Sequence, residues 1–212
     1  PGEAPPDHPN GLCHLTSVWK PVEEILDLLE ESDYTDEIEN WEGTVEELCY
    51  QMMKDTAEDG RERAVIWDKR DNSFSNMTLG EPGSGSTTIP KHLDISRAGA
   101  NLTLIHTHPE LETLSLGDIR TLARYDGLEK MIAILPDSSI HSIEKLVAGR
   151  ELERRADELF LKLKSSLLDD LVDGKITREQ YFEKLISGME TEVLNKLHNE
   201  GLLKFEKLFL RP

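Results

Sequence analysis

The residues of this chain whose types and spacing could do chemistry are concentrated between positions 101 and 118. His106 and His108 lie two positions apart at the end of a short apolar run, a pattern typical of a β-strand. Because the side chains of a strand alternate between its faces, both imidazoles should project to the same side and could meet one ion. Asp118 follows at the predicted start of a helix and could close a third side. Two histidines and a carboxylate, with a fourth position left to water, form the ligand set of a catalytic zinc site.

Each of these features also has an ordinary structural explanation. A His-x-His pair on a strand is often a pair of satisfied core histidines. Ser115 and Asp118 have the spacing of a capping box, with the serine at the N-cap and the aspartate at N3. Acidic residues are so abundant that an upstream glutamate has no meaning by itself. The metal-site interpretation therefore depends on all of the features occurring together.

Taken together, these residues resemble a known signature. The pattern His106-Thr-His108-Pro109, followed by Ser115-x-x-Asp118, resembles the signature of the JAMM (MPN-plus) zinc metalloproteases, which also includes an upstream glutamate. The resemblance implies one zinc ion bound by His106, His108 and Asp118. It implies that Ser115 stabilises an oxyanion and that a glutamate accepts the proton of the attacking water. The implied reaction is hydrolysis of peptide or isopeptide bonds, with the tail of a ubiquitin-like protein as an example of a substrate.

For the glutamate we choose Glu62, which immediately precedes a predicted strand over residues 63–67. The family places its glutamate at such a strand edge, and the segment from Arg61 onward also resembles the start of the RadC branch of the same fold. Glu58 is the alternative, although it would lie at the end of the preceding helix. One departure from the family pattern is that six residues separate His108 from Ser115, where the usual pattern has seven.

The elements that must position these residues alternate along the middle of the chain. Strands are predicted near residues 63–67, from residue 102 through the two histidines, and near 130–136 and 140–147, and a helix over 115–125. Another helix should begin after Thr44, which forms a capping box with Glu47 and precedes an apolar stripe. The members of this stripe are Leu48, Cys49, Met52, Met53 and Ala57. This alternation predicts an α/β protein with a mixed sheet between helices, and the resemblance implies a JAMM/MPN-like (cytidine-deaminase-like) arrangement.

The sequence predicts a division of the chain into three regions. These are a flexible arm over residues 1–19, a catalytic domain over 20–150 with its motif-bearing core at 55–147, and a helical extension over 151–212. A helix is predicted from Pro21 to about Ser32 in the second region. The extension should contain a long amphipathic helix, a turn at Gly174, a second helix capped by Thr177, and a last strand. Its helices could form a separate hairpin, a dimerisation element, a partner surface or a brace on the core.

Composition limits the classes of partner. The chain of 212 residues carries 42 acidic and 24 basic residues, a net charge of −18, which disfavours direct binding of nucleic acid. No apolar run reaches the roughly 20 residues that span a bilayer, and two cysteines do not form a disulfide framework. We therefore expect a cytoplasmic protein. His92, His141 and His198 are interpreted as structural. The alternatives to hydrolysis are a catalytically silent MPN-like scaffold and a RadC-like protein in a DNA-associated context.

Overall fold

The computed structural model describes residues 41, 43–81 and 86–210. The predicted arm over 1–19 and the predicted helix from Pro21 to Ser32 lie outside these residues. The predicted α/β class is confirmed, because a seven-stranded mixed sheet is packed between helices. None of the described helices is both long and apolar enough to cross a lipid bilayer.

The elements follow the chain in an order close to the predicted one. The helices are α1 (Val45–Asp59), α2 (Leu116–Arg124), α3 (Gly149–Val172), α4 (Arg178–Glu183) and α5 (Met189–Asn199), with a π-helical turn at Lys184–Gly188 between the last two. The strands are β1 (Arg63–Asp68), β2 (Ser73–Phe74), β3 (Thr78–Leu79), β4 (Leu102–Thr107), β5 (Leu128–Ile134), β6 (Ser139–Lys145) and β7 (Leu203–Phe209).

The sheet has the order β2-β1-β4-β5-β6-β7, and β3 also pairs with β1. Only β4 and β5 are parallel, and α2 is the crossover helix that connects them. All other pairs are antiparallel. A helix that follows a strand in a parallel crossover begins at the carboxyl end of that strand. The end of β4, with its histidines, is therefore brought close to the N-terminus of α2.

The hydrophobic core lies on both faces of the sheet. One face packs against α2, α3 and α5, and its cluster includes Leu104, Met131 and Leu197. The other face packs against α1 through Val65 and Ile105. Because β4 is covered on both sides, every residue from Leu102 to Thr107 is buried, as expected for a central strand of an α/β sheet.

The sequence placed the apolar stripe of α1 almost correctly. The predicted capping box of Thr44 and Glu47 is present, and Leu48, Cys49 and Met52 are buried. Ala57 is exposed, and the prediction was wrong for this residue. Thr56 is buried instead, because it lies one helical turn after Met52 on the same face. Its hydroxyl lies 2.7 Å from the hydroxyl of Thr107.

The C-terminal helices contribute to the same core. The first half of α3 buries Leu152, Ala156 and Leu159, and α5 buries Leu194 and Leu197. The predicted last strand is present as β7, which pairs with β6 along its whole length. The second half of α3 differs, since Leu161, Leu168 and Val172 are exposed there. The beginning of the helical segment thus braces the sheet on the side where α2 lies.

Candidate metal centre

The two histidines are placed by the end of β4. His106 is the penultimate residue of this strand and is 4% exposed. His108 lies one residue beyond the strand, where its backbone N–H donates to the carbonyl of Ile134 on β5. This bond continues the alternation of β4 past its last residue, so both side chains point the same way, as predicted. The Nε2 atoms of the two rings are 2.9 Å apart.

Asp118 approaches this pair from the first turn of α2. Its Oδ1 atom is 3.5 Å from Nε2 of His106, and its Oδ2 atom is 3.9 Å from Nε2 of His108. The predicted capping box is present, since Oδ2 accepts hydrogen bonds from both the backbone N–H and the hydroxyl of Ser115. Holding Oδ2 in this way orients the carboxylate so that Oδ1 faces His106.

Glu62 reaches the same place from the residue before β1. Antiparallel pairing of β1 with β4 puts Ala64 opposite His106, so the chain just before β1 lies beside the end of β4. The carboxylate of Glu62 is 3.7 Å from Nε2 of His108, and the residue is 5% exposed. The alternative, Glu58, is exposed on the last turn of α1.

The spacing of these donor atoms suits a metal ion. Ligands at tetrahedral zinc, with bonds of about 2.0–2.1 Å, are separated from one another by about 3.3 Å. The two histidine Nε2 atoms are 2.9 Å apart, and the contacts of Asp118 and Glu62 with them range from 3.5 to 3.9 Å. The ligand atoms of Glu62, His106 and His108 all lie within 4.8 Å of one another. These buried residues could hold a metal ion, with Asp118 at the edge of the group.

Burial sets the protonation of the site. Burial raises the pKa of Glu62 to about 7, and the charge of Asp118 adds to this effect. Burial lowers the pKa of His106 to about 4; Asp118 opposes this shift, and His108 adds to it. At neutral pH His106 is thus an uncharged imidazole, the form that binds metals, whereas Glu62 is close to half protonated. A carboxylate in this state can exchange a proton with little cost in free energy.

The two imidazoles differ in their second ring nitrogen. Nδ1 of His108 is 3.0 Å from the carbonyl oxygen of Glu112. Since a carbonyl can only accept, Nδ1 carries the proton in the neutral ring, and the lone pair of Nε2 faces the other ligands. Metal-binding histidines usually have such a partner. Nδ1 of His106 is buried without a hydrogen-bond partner, so only one of the two rings is oriented in this way.

Ser115 lies at the N-cap of α2 and lines the same groove as the metal ligands. Its hydroxyl donates to Oδ2 of Asp118 at 2.8 Å and accepts from the N–H of Asp118 at 3.1 Å. A hydroxyl has one proton. In this arrangement that proton is directed at Asp118 and not at the open groove.

The segment between His108 and Ser115 is held by several contacts. Leu114 is fully buried, the carbonyl of Glu112 contacts His108, and the hydroxyl of Thr113 lies 3.0 Å from Nδ1 of His141. His141 on β6 is itself buried and acts structurally in this contact. The six residues therefore connect β4 to α2 while both ends remain at the site.

Glu62, His106, His108, Ser115 and Asp118 line an open groove of about 740 Å³. Ser86, Thr87, Thr88 and Ile89 also line it. Four of the lining residues are acidic, namely Glu62, Glu110, Glu112 and Asp118, and none of the described lining residues is lysine or arginine. The volume of the groove falls within the range typical of small-molecule binding sites.

The sequence offered no signal for one neighbour of the site. Glu190, on the first turn of α5, accepts a hydrogen bond from the backbone N–H of Leu116 at 3.0 Å. The two residues are 74 positions apart, and no local pattern connects them.

In comparisons with known proteins, no family model, curated protein or solved structure matches the chain.

Proposed function

We propose that this protein is a zinc-dependent hydrolase that cleaves peptide or isopeptide bonds, including those of ubiquitin-like conjugates. The observation that carries the proposal is the convergence of His106, His108 and Asp118 with a second carboxylate, Glu62, at the wall of an open groove. The same residues match the JAMM signature in type and order.

Zinc fits this donor set. Neutral imidazole nitrogens and a carboxylate are its usual ligands in catalytic sites, where one position stays open. Two histidines and a carboxylate also bind ferrous iron in some enzymes, so metal analysis must measure both elements. When bound, zinc supplies Lewis acidity and lowers the pKa of a coordinated water toward about 7.

We assign the third ligand position to Asp118 and the general base to Glu62. Oδ1 of Asp118 is the carboxylate oxygen nearest to His106, and its orientation is set by Ser115. The raised pKa of Glu62, about 7, suits a group that takes a proton from the attacking water and returns it to the leaving amine.

Ser115 has the role of donor to the oxyanion in this proposal. To donate, its hydroxyl must turn away from Oδ2 of Asp118, which still keeps the hydrogen bond from the backbone N–H of Ser115 at 2.7 Å. The present direction of this hydroxyl favours a second candidate, a metal-binding scaffold without turnover. The two candidates differ in activity and not in metal content.

The test combines metal analysis with hydrolysis assays. Zinc and iron are measured in the purified protein, and cleavage of isopeptide-linked ubiquitin-like conjugates and of linear peptides is followed for wild type and Glu62→Gln. Glu58→Gln is the matched control, because Glu58 is exposed on the neighbouring helix. We expect one zinc per chain in all three proteins, and a loss of activity of about 100-fold or more only in Glu62→Gln.

The outcomes separate the alternatives. Absence of stoichiometric zinc would contradict the proposal. Zinc bound without cleavage of any substrate would favour the scaffold. Loss of activity in Glu58→Gln together with full activity in Glu62→Gln would assign the base to Glu58.

A further inference from the structure

The side chain of Glu190 connects the C-terminal helices to the start of the helix that carries Asp118. This residue lies on the first turn of α5, and its Oε1 atom accepts the backbone N–H of Leu116, the first residue of α2. The contact is partly buried. It joins the helix that carries Asp118 to a segment that lies more than 70 positions away in the sequence.

The amides at the start of α2 explain why an acceptor is useful there. The first N–H groups of a helix have no partner within the helix. The capping box satisfies the N–H groups of Ser115 and Asp118. The N–H of Leu116, between them, is left to Glu190. A carboxylate at this end of a helix also interacts favourably with the helix dipole.

The π-helical turn before α5 determines that Glu190 faces α2. The turn spans Lys184–Gly188, and the N–H of Met189 bonds to the carbonyl of Lys184, five residues back. Compared with an α-helix, such a turn contains one additional residue and rotates all following side chains by about 100°. With this rotation Met189 and Val193 are buried in the core and Glu190 lies at the groove end of α2.

Electrostatics agree with this position. Burial raises the pKa of Glu190, the hydrogen bond from Leu116 opposes the shift, and the negative charges of Asp118 and Glu112 add to it. Glu190 is thus close enough to Asp118 for their charges to interact. Two carboxylates that repel each other are held near one another because each accepts an N–H group at the start of α2.

We propose that Glu190 is a positioning residue for the metal centre, which acts by holding the first turn of α2 so that Asp118 stays within reach of His106 and His108. The proposal rests on the proposed function in one respect, the assignment of Asp118 as a ligand. It makes metal binding dependent on the C-terminal helices, although none of their residues touches the metal.

The experiment separates the reach of the side chain from its charge. Glu190→Gln keeps an oxygen acceptor at the same distance but loses the charge, whereas Glu190→Asp keeps the charge but is one methylene too short to reach Leu116. Glu192→Gln and Glu192→Asp are matched controls, because Glu192 lies on the same turn of α5 and is exposed. Zinc affinity is measured by competition with a chelator, and hydrogen exchange of the Leu116 amide is measured in the metal-free protein.

We expect Glu190→Asp to bind zinc about 10-fold more weakly, the lower end of the effects seen for groups that orient metal ligands. The Leu116 amide should exchange faster in this variant. Glu190→Gln should behave like the wild type in both measurements, and so should the Glu192 variants. A merely structural role of Glu190 would lower thermal stability without distinguishing Gln from Asp in zinc affinity.

Two results would overturn the inference. One is wild-type zinc affinity in Glu190→Asp, and the other is unchanged exchange of the Leu116 amide in that variant. Failure of the proposed function gives a different result, the absence of zinc or of hydrolysis in the wild type itself. In that case the exchange measurement still decides whether Glu190 holds the start of α2.

Discussion

Two helix N-termini in this protein have almost the same local structure but differ in what surrounds them. At α1 the N–H of Thr44 donates to the Glu47 carboxylate at 2.7 Å, and the N–H of Glu47 donates to the Thr44 hydroxyl at 3.2 Å. At α2 the corresponding distances between Ser115 and Asp118 are 2.7 and 3.1 Å. Glu47 is exposed to solvent, whereas Asp118 faces the buried His106 and the partly buried His108.

This comparison shows that a capping box is not by itself a functional signal. The box at α1 satisfies the first amides of its helix, and its carboxylate is exposed to solvent. The box at α2 satisfies the same amides and also orients a carboxylate toward a candidate metal centre. Its additional role comes from the neighbouring strand β4, which ends beside it.

The largest expected difference is between Asp118→Ala and Glu47→Ala. Each substitution removes one half of a capping box, so each should lower the free energy of unfolding by about 1 kcal/mol. Only Asp118→Ala should weaken zinc binding. Its zinc affinity should fall by more than the roughly 10- to 100-fold that is typical of substitutions of residues that contact the metal ligands without binding the metal. Metal analysis and chemical denaturation of the metal-free proteins measure the two effects. Equal zinc content in both variants would mean that Asp118 has no role beyond its box.

A smaller difference is expected between Ser115→Ala and Thr177→Ala. Thr177 forms a third capping box with Gln180, with distances of 2.9 and 3.2 Å. Loss of either N-cap hydroxyl should cost about 1 kcal/mol of stability. Ser115→Ala should in addition lower kcat by about 100-fold if the hydroxyl donates to the oxyanion during turnover.

Steady-state kinetics on a cleaved conjugate measures this second effect, and thermal unfolding measures the first. Equal activity of the two alanine variants would restrict Ser115 to its capping role. In that case the capping boxes at α2 and α4 would have the same role, which is helix capping alone.

A third effect concerns the electrostatic environment of the box at α2. In the metal-free protein Glu62 has a pKa of about 7, raised from 4.5 by burial and by Asp118. Between these two pH values the folded state keeps a proton that the unfolded state has released. The contribution of Glu62 to the free energy of unfolding is therefore at its full value below about pH 4.5. It decreases as the pH rises to about 7.

Urea unfolding of metal-free wild type and Glu62→Gln across this window measures the effect. The variant should gain stability relative to the wild type as the pH rises, because glutamine has no proton to lose. Asp118→Asn should lower the pKa of Glu62 and move the window to lower pH, whereas Glu47→Gln should not. A stability difference that is independent of pH would contradict the raised pKa.

Much of the fold could be predicted from local patterns. The capping boxes at Thr44, Ser115 and Thr177 are all present, because they depend on residues only three positions apart. The apolar run at 130–136 predicted a buried strand, and β5 is present there but shifted to Leu128–Ile134, with its buried residues on a central strand of the sheet. The error at Ala57 has a tertiary cause, since Thr56 is polar by type but is buried on the face of α1 where its hydroxyl contacts Thr107 at the end of β4.

The candidate site could be predicted in part. His106, His108, Ser115 and Asp118 lie within one strand–loop–helix segment, and their proximity follows from the alternation of β4 and the start of α2. The proximity of Glu62 depends on antiparallel pairing of β1 with β4, which the strand pattern alone does not specify. The position of Glu190 beside α2 is still harder to predict, because it depends on the π-helical turn and on the packing of α5 on the core.

The sequence by itself determined which helix ends are capped, which strands are buried, and that two imidazoles at the end of β4 share a face. These features depend on residues within a few positions of one another, where backbone geometry leaves few choices. Only the tertiary structure decided that Glu62 and not Glu58 meets the histidines, and that the Glu190 carboxylate accepts the N–H of Leu116 at the start of α2. Such contacts join distant segments through strand pairing and helix packing, which depend on the whole core at once.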